Sequence, residues 1–311
     1  MIRRSSIASK LWDISINMPK VNVNGIQIHY QTKGSGPDVI LIHGVTASLA
    51  MWYVKVFPIL ASKFRVTVYD LRGHGLSTIT PTGYTSYDMV QDLVGLMDSI
   101  GIRSARFVGH SYGGAIAMHL ALLHPERVNG IVVLDSGLAC LRRMRNIEGW
   151  PGWELFRRQL QQYGISYERF MELDQNQDVS EIFRKSFEVP ILFGMRKGAS
   201  RATPRFKKLV NETSFGREFR EIAGMTEERL PEIVAPVLAL YGETSPYIKL
   251  ATHLSTVLPN CRRERFSEDG HFYLLREPGA VLERISAFLD DPEGYLRPEA
   301  AAHKTLLPTG S

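Results

Sequence analysis

Ser111 stands in the run Gly109-His110-Ser111-Tyr112-Gly113, where the apolar stretch "ARFVGH" gives way to the alanine-rich stretch "YGGAIAMHLALLH". A serine between a strand and a helix has two readings. As an N-cap, its side-chain oxygen accepts a hydrogen bond from a free N–H group of the first helical turn. As a nucleophile, its hydroxyl attacks an electrophilic carbon, and it then needs a base, a group that orients the base, and donors for the oxyanion. The spacing favours the second. A serine at the apex of a strained strand-to-helix turn needs neighbours without Cβ atoms, so that the flanking backbone passes closely. Gly109, Gly113 and Gly114 are such neighbours. Two of them fall in the first helical turn, where glycine costs about 1 kcal/mol relative to alanine. An N-cap alone does not require that cost.

The elements that must position this serine are short β-rich runs alternating with helical patterns. Residues 26–31, 38–44, 64–70, 105–110, 128–135, 236–242 and 261–267 read as strands. Residues 86–100, 112–124, 247–258 and 279–289 read as helices. The run "DVILIHG" is too uniformly apolar for an edge strand and is expected to be central. This alternation predicts an α/β fold, a mostly parallel, doubly wound sheet with helices on both faces. Chemistry in such sheets sits at the C-terminal ends of the strands. His43-Gly44, Asp70, Ser111, Asp135 and Gly242-Glu243 all fall there.

The rhythm breaks between about Leu138 and Met225, a segment without strand patterns and rich in Trp and Phe. It reads as a helical cap over the strand ends. The domain reading is an N-terminal arm (1–20), a core (21–137 and 226–290), a cap insert (138–225) and a flexible C-terminal tail (291–311). Most cap aromatics are expected to form the cap's own small core, with Trp150, Trp153 and Phe156 the candidates to line a pocket. From Leu141 to Met225 there are 16 Lys and Arg against 11 Asp and Glu, so the insert accounts for the formal net charge of +5. No basic run interleaved with aromatics accompanies that charge, which argues against nucleic-acid binding. Cys140 and Cys261 are the only two cysteines, and their spacing suggests neither a disulfide framework nor a zinc site. No apolar stretch reaches the length of a membrane span, and the N-terminus lacks the apolar core of a signal peptide. A cytoplasmic protein without metal or cofactor is the expectation, acting on a small acyl substrate.

Together these motifs resemble the α/β-hydrolase superfamily. Besides the Ser111 elbow, the resemblance rests on His43-Gly44, on "DLRGHGLS" (70–77) and on "EDGHFYLLREP" (268–278). It implies roles for particular residues. His271, after Gly270 in a loop beyond the last strand, is the general base. The backbone N–H groups of Tyr112 and Val45 form the oxyanion hole. His43 positions backbone beside that hole and is not a base, and His74, His110, His119 and His124 are structural.

The orienting carboxylate departs from the family pattern. The acid usually stands three residues beyond Gly242, and here that position is Ser245 in "GETSPY". Asp135, Glu243 and the local pair Glu268/Asp269 are the replacements. Asp135 occupies a place that resembles the carboxylate position of the haloalkane-dehalogenase branch, and an aspartate closing an apolar run is costly without a partner. Asp135 is therefore the assigned acid, with Glu243 in reserve. The expected function is serine hydrolysis of a carboxylic ester, thioester or lactone. Serine at 111 speaks against the superfamily's dehalogenases and epoxide hydrolases, which attack with aspartate. The alternatives are C–C bond hydrolysis or lyase/cyclase chemistry on the same triad, and a ligand receptor with slow turnover.

Overall fold

The computed structural model describes residues 18–146, 153–162, 164–175, 178–188, 204–266 and 279–297. Eight strands form one sheet in the order β1-β2-β4-β3-β5-β6-β7-β8. They are β1 (Lys20–Val23), β2 (Ile26–Lys33), β3 (Asp38–Ile42), β4 (Arg65–Tyr69), β5 (Ala105–His110), β6 (Val128–Leu134), β7 (Val237–Gly242) and β8 (Cys261–Phe266). β1 and β2 pair antiparallel at one edge, and all pairs from β4 to β8 are parallel.

Alternation along each strand builds two cores. Ile40 and Ile42 of β3, Phe107 of β5 and Val133 of β6 face one side with the helices Ser86–Ser99, Tyr112–Leu123 and Ile248–Val257. Val39 and Leu41, Val108 and Val132 face the other, against the short helices near Trp52 and Phe57 and the helix Gly279–Asp290. Both faces of the central strands are therefore covered, which is why these strands read as continuous apolar runs. Helix Ser86–Ser99 starts where the sequence places it because Thr85 and Asp88 form a reciprocal capping box.

Among the described residues no strand falls between 138 and 225, where the chain forms helices Trp153–Gln162, Tyr167–Gln175, Ser180–Glu188, Pro204–Glu212 and Phe215–Glu218. Phe183, Phe206 and Phe215 are buried together, with Phe183 stacked on Phe215 at 5.5 Å. Two features depart from the sequence reading. β1 was not expected as a strand at the start of the core, because four alternating polar and apolar residues carry too weak a signal. The expected flexible tail instead begins as a helix, Pro292–Leu296, capped by Asp291, whose side chain accepts the Gly294 N–H. Tyr295 of that helix is buried against Phe288, and its hydroxyl donates to Glu264 at 2.8 Å. No described helix is long and apolar enough to cross a membrane.

Candidate active site

Ser111 leaves β5 with φ 54° and ψ −121°, and its side chain makes no helix-cap hydrogen bond. The N-cap reading therefore does not hold. A non-glycine residue at positive φ costs on the order of 1–3 kcal/mol and is found where the surroundings over-determine it. Here they do. The Ser111 N–H donates to the Leu134 carbonyl at 3.0 Å, and the Ser111 carbonyl accepts the Gly114 N–H at 3.0 Å. A Cβ on Gly113 would overlap the Ile42 carbonyl at the end of β3, and a Cβ on Gly109 or Gly114 would meet the elbow's own backbone or Ser136. The glycine spacing is thus a packing requirement of helix against strand.

Asp135 emerges beside Ser111 for a topological reason. β5 and β6 run parallel with His110 opposite Leu134, so the next residue of each strand, Ser111 and Asp135, leaves the sheet at the same level. Asp135 also has positive φ, 43°, and is buried. Its N–H donates to the Leu240 carbonyl at 3.1 Å. It caps no helix, because the helical turn that follows begins at Ala139 with Leu138 as its N-cap. Tyr241 lies beside it; burial above all, and then the Asp135 charge, push its phenol pKa well up, and its hydroxyl donates to the Ser136 carbonyl at 2.8 Å.

Glu243 is placed differently. It is exposed, and its N–H joins the loop to the Phe266 carbonyl at 3.0 Å. Ser245, at the usual acid position, is buried and shapes the turn by accepting the Tyr247 N–H on its hydroxyl at 3.1 Å. His271 and the pair Glu268/Asp269 lie outside the described residues.

The loop after β3 reaches the elbow through Gly44, where a Cβ would stand 2.8 Å from that of Ser111. Val45 follows directly and is half-buried. His43 is fully buried, donates from Nδ1 to the Gly44 carbonyl at 2.7 Å and accepts the Leu71 N–H on Nε2 at 3.0 Å. With one nitrogen donating and the other accepting, the ring is neutral, and burial lowers its pKa. His43 thus joins the loop after β3 to the loop after β4. That second loop, "DLRGHGLS", is organised by Asp70, whose carboxylate takes Leu49 N–H at 2.8 Å, Leu76 N–H at 2.9 Å and His29 Nδ1 at 2.7 Å. His110 is buried below Gly44.

On the cap side, Tyr112 is buried and its hydroxyl donates to the Tyr84 carbonyl at 2.8 Å. The ring of Phe219 stands edge-on against it, 5.8 Å away at 87°. Phe219 is half-buried and packs on Phe215 at 5.2 Å. The sequence reading missed it; the four-residue spacing of Phe215 and Phe219 was the available signal. Of the expected pocket residues, Trp153 is half-buried against the core, Trp150 lies outside the described residues, and so does the side chain of Phe156. A cavity of about 310 Å³ is lined by Arg157, Gln161 and Ile165, and Ser111 is not among its lining residues. Among the described residues no group of His, Cys, Asp and Glu is placed to hold a metal ion.

The chain matches the family described as alpha/beta hydrolase fold over residues 37–278. It is 28% identical over 272 residues to the pimeloyl-[acyl-carrier protein] methyl ester esterase of Vibrio vulnificus, covering 84% of this chain and 97% of that protein. To the bifunctional epoxide hydrolase 2 of Sus scrofa it is 25% identical over 297 residues, covering 84% of this chain and 52% of that protein. To epoxide hydrolase 3 of Siraitia grosvenorii it is 37% identical over 117 residues, 37% of each chain. The chain thus spans about half or less of these epoxide hydrolases. Among solved structures, Est816, an N-acyl homoserine lactone degrading enzyme, superposes with a TM-score of 0.63 at 29% identity, covering 87% of this chain and all of that one. With the elbow geometry and the sheet order, these matches make this chain a member of the alpha/beta hydrolase fold family.

Proposed function

We propose that this chain is a serine hydrolase that cleaves a carboxylic ester, thioester or lactone through an acyl-enzyme on Ser111. One observation carries the reading: Ser111 is held at φ 54° with a hydroxyl unused by the helix, and Asp135 leaves the adjacent strand at the same level. In this mechanism the Ser111 hydroxyl attacks the carbonyl carbon while His271 takes its proton. Asp135 orients His271 and stabilises the imidazolium. The Tyr112 and Val45 N–H groups receive the oxyanion. Collapse of the tetrahedral intermediate expels the alcohol, thiol or ring hydroxyl, which takes the proton from His271. Water, deprotonated by His271, then attacks the acyl group and regenerates Ser111.

The similarity to proteins named epoxide hydrolases raises a competing chemistry. Attack on an epoxide by a carboxylate forms an ester that water can cleave, whereas attack by a serine hydroxyl forms an ether that a triad cannot hydrolyse. Serine at the elbow thus favours acyl transfer, and the similarity to a methyl ester esterase and a lactone-degrading enzyme points the same way. The test is Ser111→Ala with an activated ester and a serine-directed phosphonate. The expected result is abolished turnover and labelling with melting unchanged, and an acyl adduct on Ser111 in the wild type. Labelling of the alanine variant at the wild-type rate would remove Ser111 from the mechanism.

A further inference from the structure

Glu218 ends the short cap helix Phe215–Glu218 and is buried. Its Oε2 accepts the N–H of Gly83 at 2.8 Å and of Tyr84 at 2.9 Å, across 134 residues of sequence. Burial pushes its carboxyl pKa up, but the hydrogen bonds from Tyr84, Ser214 and Gly83 outweigh that, and it lies below the usual carboxylate range. Ser214 adds two bonds to the same loop, its N–H at 2.9 Å and its hydroxyl at 3.1 Å from the Pro81 carbonyl. Tyr84, held on its N–H side by the cap, accepts on its carbonyl the hydroxyl of Tyr112 at 2.8 Å. One residue beyond Glu218, Phe219 presses on the same Tyr112 ring.

We infer that Glu218 is a positioning residue. It fastens the cap to the loop 81–84 and, through Tyr84, holds Tyr112 so that the N–H beside Ser111 stays aligned for the oxyanion. This rests on the reading of Ser111 as nucleophile. Removing the carboxylate leaves two inward N–H groups without an acceptor, and the loop must move to satisfy them. Tyr84 moves with the loop, and Tyr112 loses its acceptor.

The experiment compares Glu218→Ala, Glu218→Gln, Tyr112→Phe and the double variant Glu218→Ala/Tyr112→Phe in the full chain, with p-nitrophenyl acetate as probe. Glu218→Ala is expected to lower kcat about tenfold or more with KM nearly unchanged, the signature of a misplaced transition-state donor. Glu218→Gln, which keeps an acceptor oxygen, recovers most of that loss. Tyr112→Phe also lowers kcat, and adds little to Glu218→Ala because the link is already cut. Amide hydrogen exchange of the peptide 109–118 quickens in Glu218→Ala, a readout independent of turnover. A Glu218→Ala protein that melts lower yet keeps wild-type kcat and exchange overturns the inference. If that variant does not fold, Tyr112→Phe with wild-type kcat and exchange overturns it. Phosphonate labelling keeps the two claims apart. A wild type that is never labelled sinks the serine-hydrolase reading, while exchange still decides the role of Glu218.

Discussion

Three histidines are buried as neutral bases around the elbow, and this makes the fold sensitive to mild acid. Burial lowers the pKa of His74 to about 3, with neighbouring His43 acting in the same direction. Burial likewise lowers His119 to about 4 and brings His43 below its ordinary value of 6.5. His119 Nδ1 bonds the Ser86 hydroxyl at 2.9 Å at the start of helix Ser86–Ser99. Because these folded-state pKa values are depressed, the unfolded chain binds protons first. The stability these residues contribute is complete above the unfolded value of 6.5 and is lost as pH falls toward the folded values. By linkage, His74 and His119 each cost about 2 kcal/mol at about pH 5, and about 1 kcal/mol at about pH 6. Their sum at about pH 5 is about 4 kcal/mol, a large share of the 5–15 kcal/mol typical of a domain, and His43 adds to it. Urea unfolding followed by circular dichroism at pH 7.5, 6 and 5 measures the slope. His119→Gln, which keeps a partner for Ser86, is expected to lose less stability than the wild type between about pH 6 and 5, by about 1 kcal/mol. Stability that is flat or rises on acidification over this range, or a variant with the wild-type slope, refutes the account.

Asp135→Asn is expected to lower kcat by about 10⁴ while Glu243→Gln stays within severalfold of wild type, measured by steady-state hydrolysis of an activated ester; the reverse order moves the acid to Glu243. Gly113→Ala places a methyl on the Ile42 carbonyl and should cost on the order of 3 kcal/mol or more, read as a lowered Tm together with lost activity. Phe219→Ala should change the preference among acyl chain lengths, by about 1–3 kcal/mol per methylene if the ring borders the acyl chain. An unchanged order across a series of p-nitrophenyl esters places Phe219 in the cap core only.

Much of the fold was legible because local signals and the global answer agree. Strands such as β3 and β7 read as unbroken apolar runs since helices cover both their faces, and between 138 and 225 that rhythm stops where the described residues form helices and no strand. The elbow was legible for a steric reason, as Gly109, Gly113 and Gly114 mark close backbone passage whatever surrounds them. The missed elements had little local signal. β1 is four residues long and half polar, and helix Pro292–Leu296 depends on Tyr295 finding Phe288 and Glu264.

What the sequence determined by itself, then, is the α/β alternation, the glycine-flanked turn at Ser111 and the candidate acids, because each depends on residues near one another in the chain. The tertiary structure alone brought Asp135 to the level of Ser111. Asp135 and Ser111 leave the sheet together because β5 and β6 pair in one parallel register, whereas Glu243 points to solvent. It alone brought Glu218 to Tyr84 and Phe219 to Tyr112, contacts that no local pattern encodes. Such contacts form only when the chain closes over long separations, and they depend on the packing of the whole sheet and cap rather than on the propensities of the residues they join.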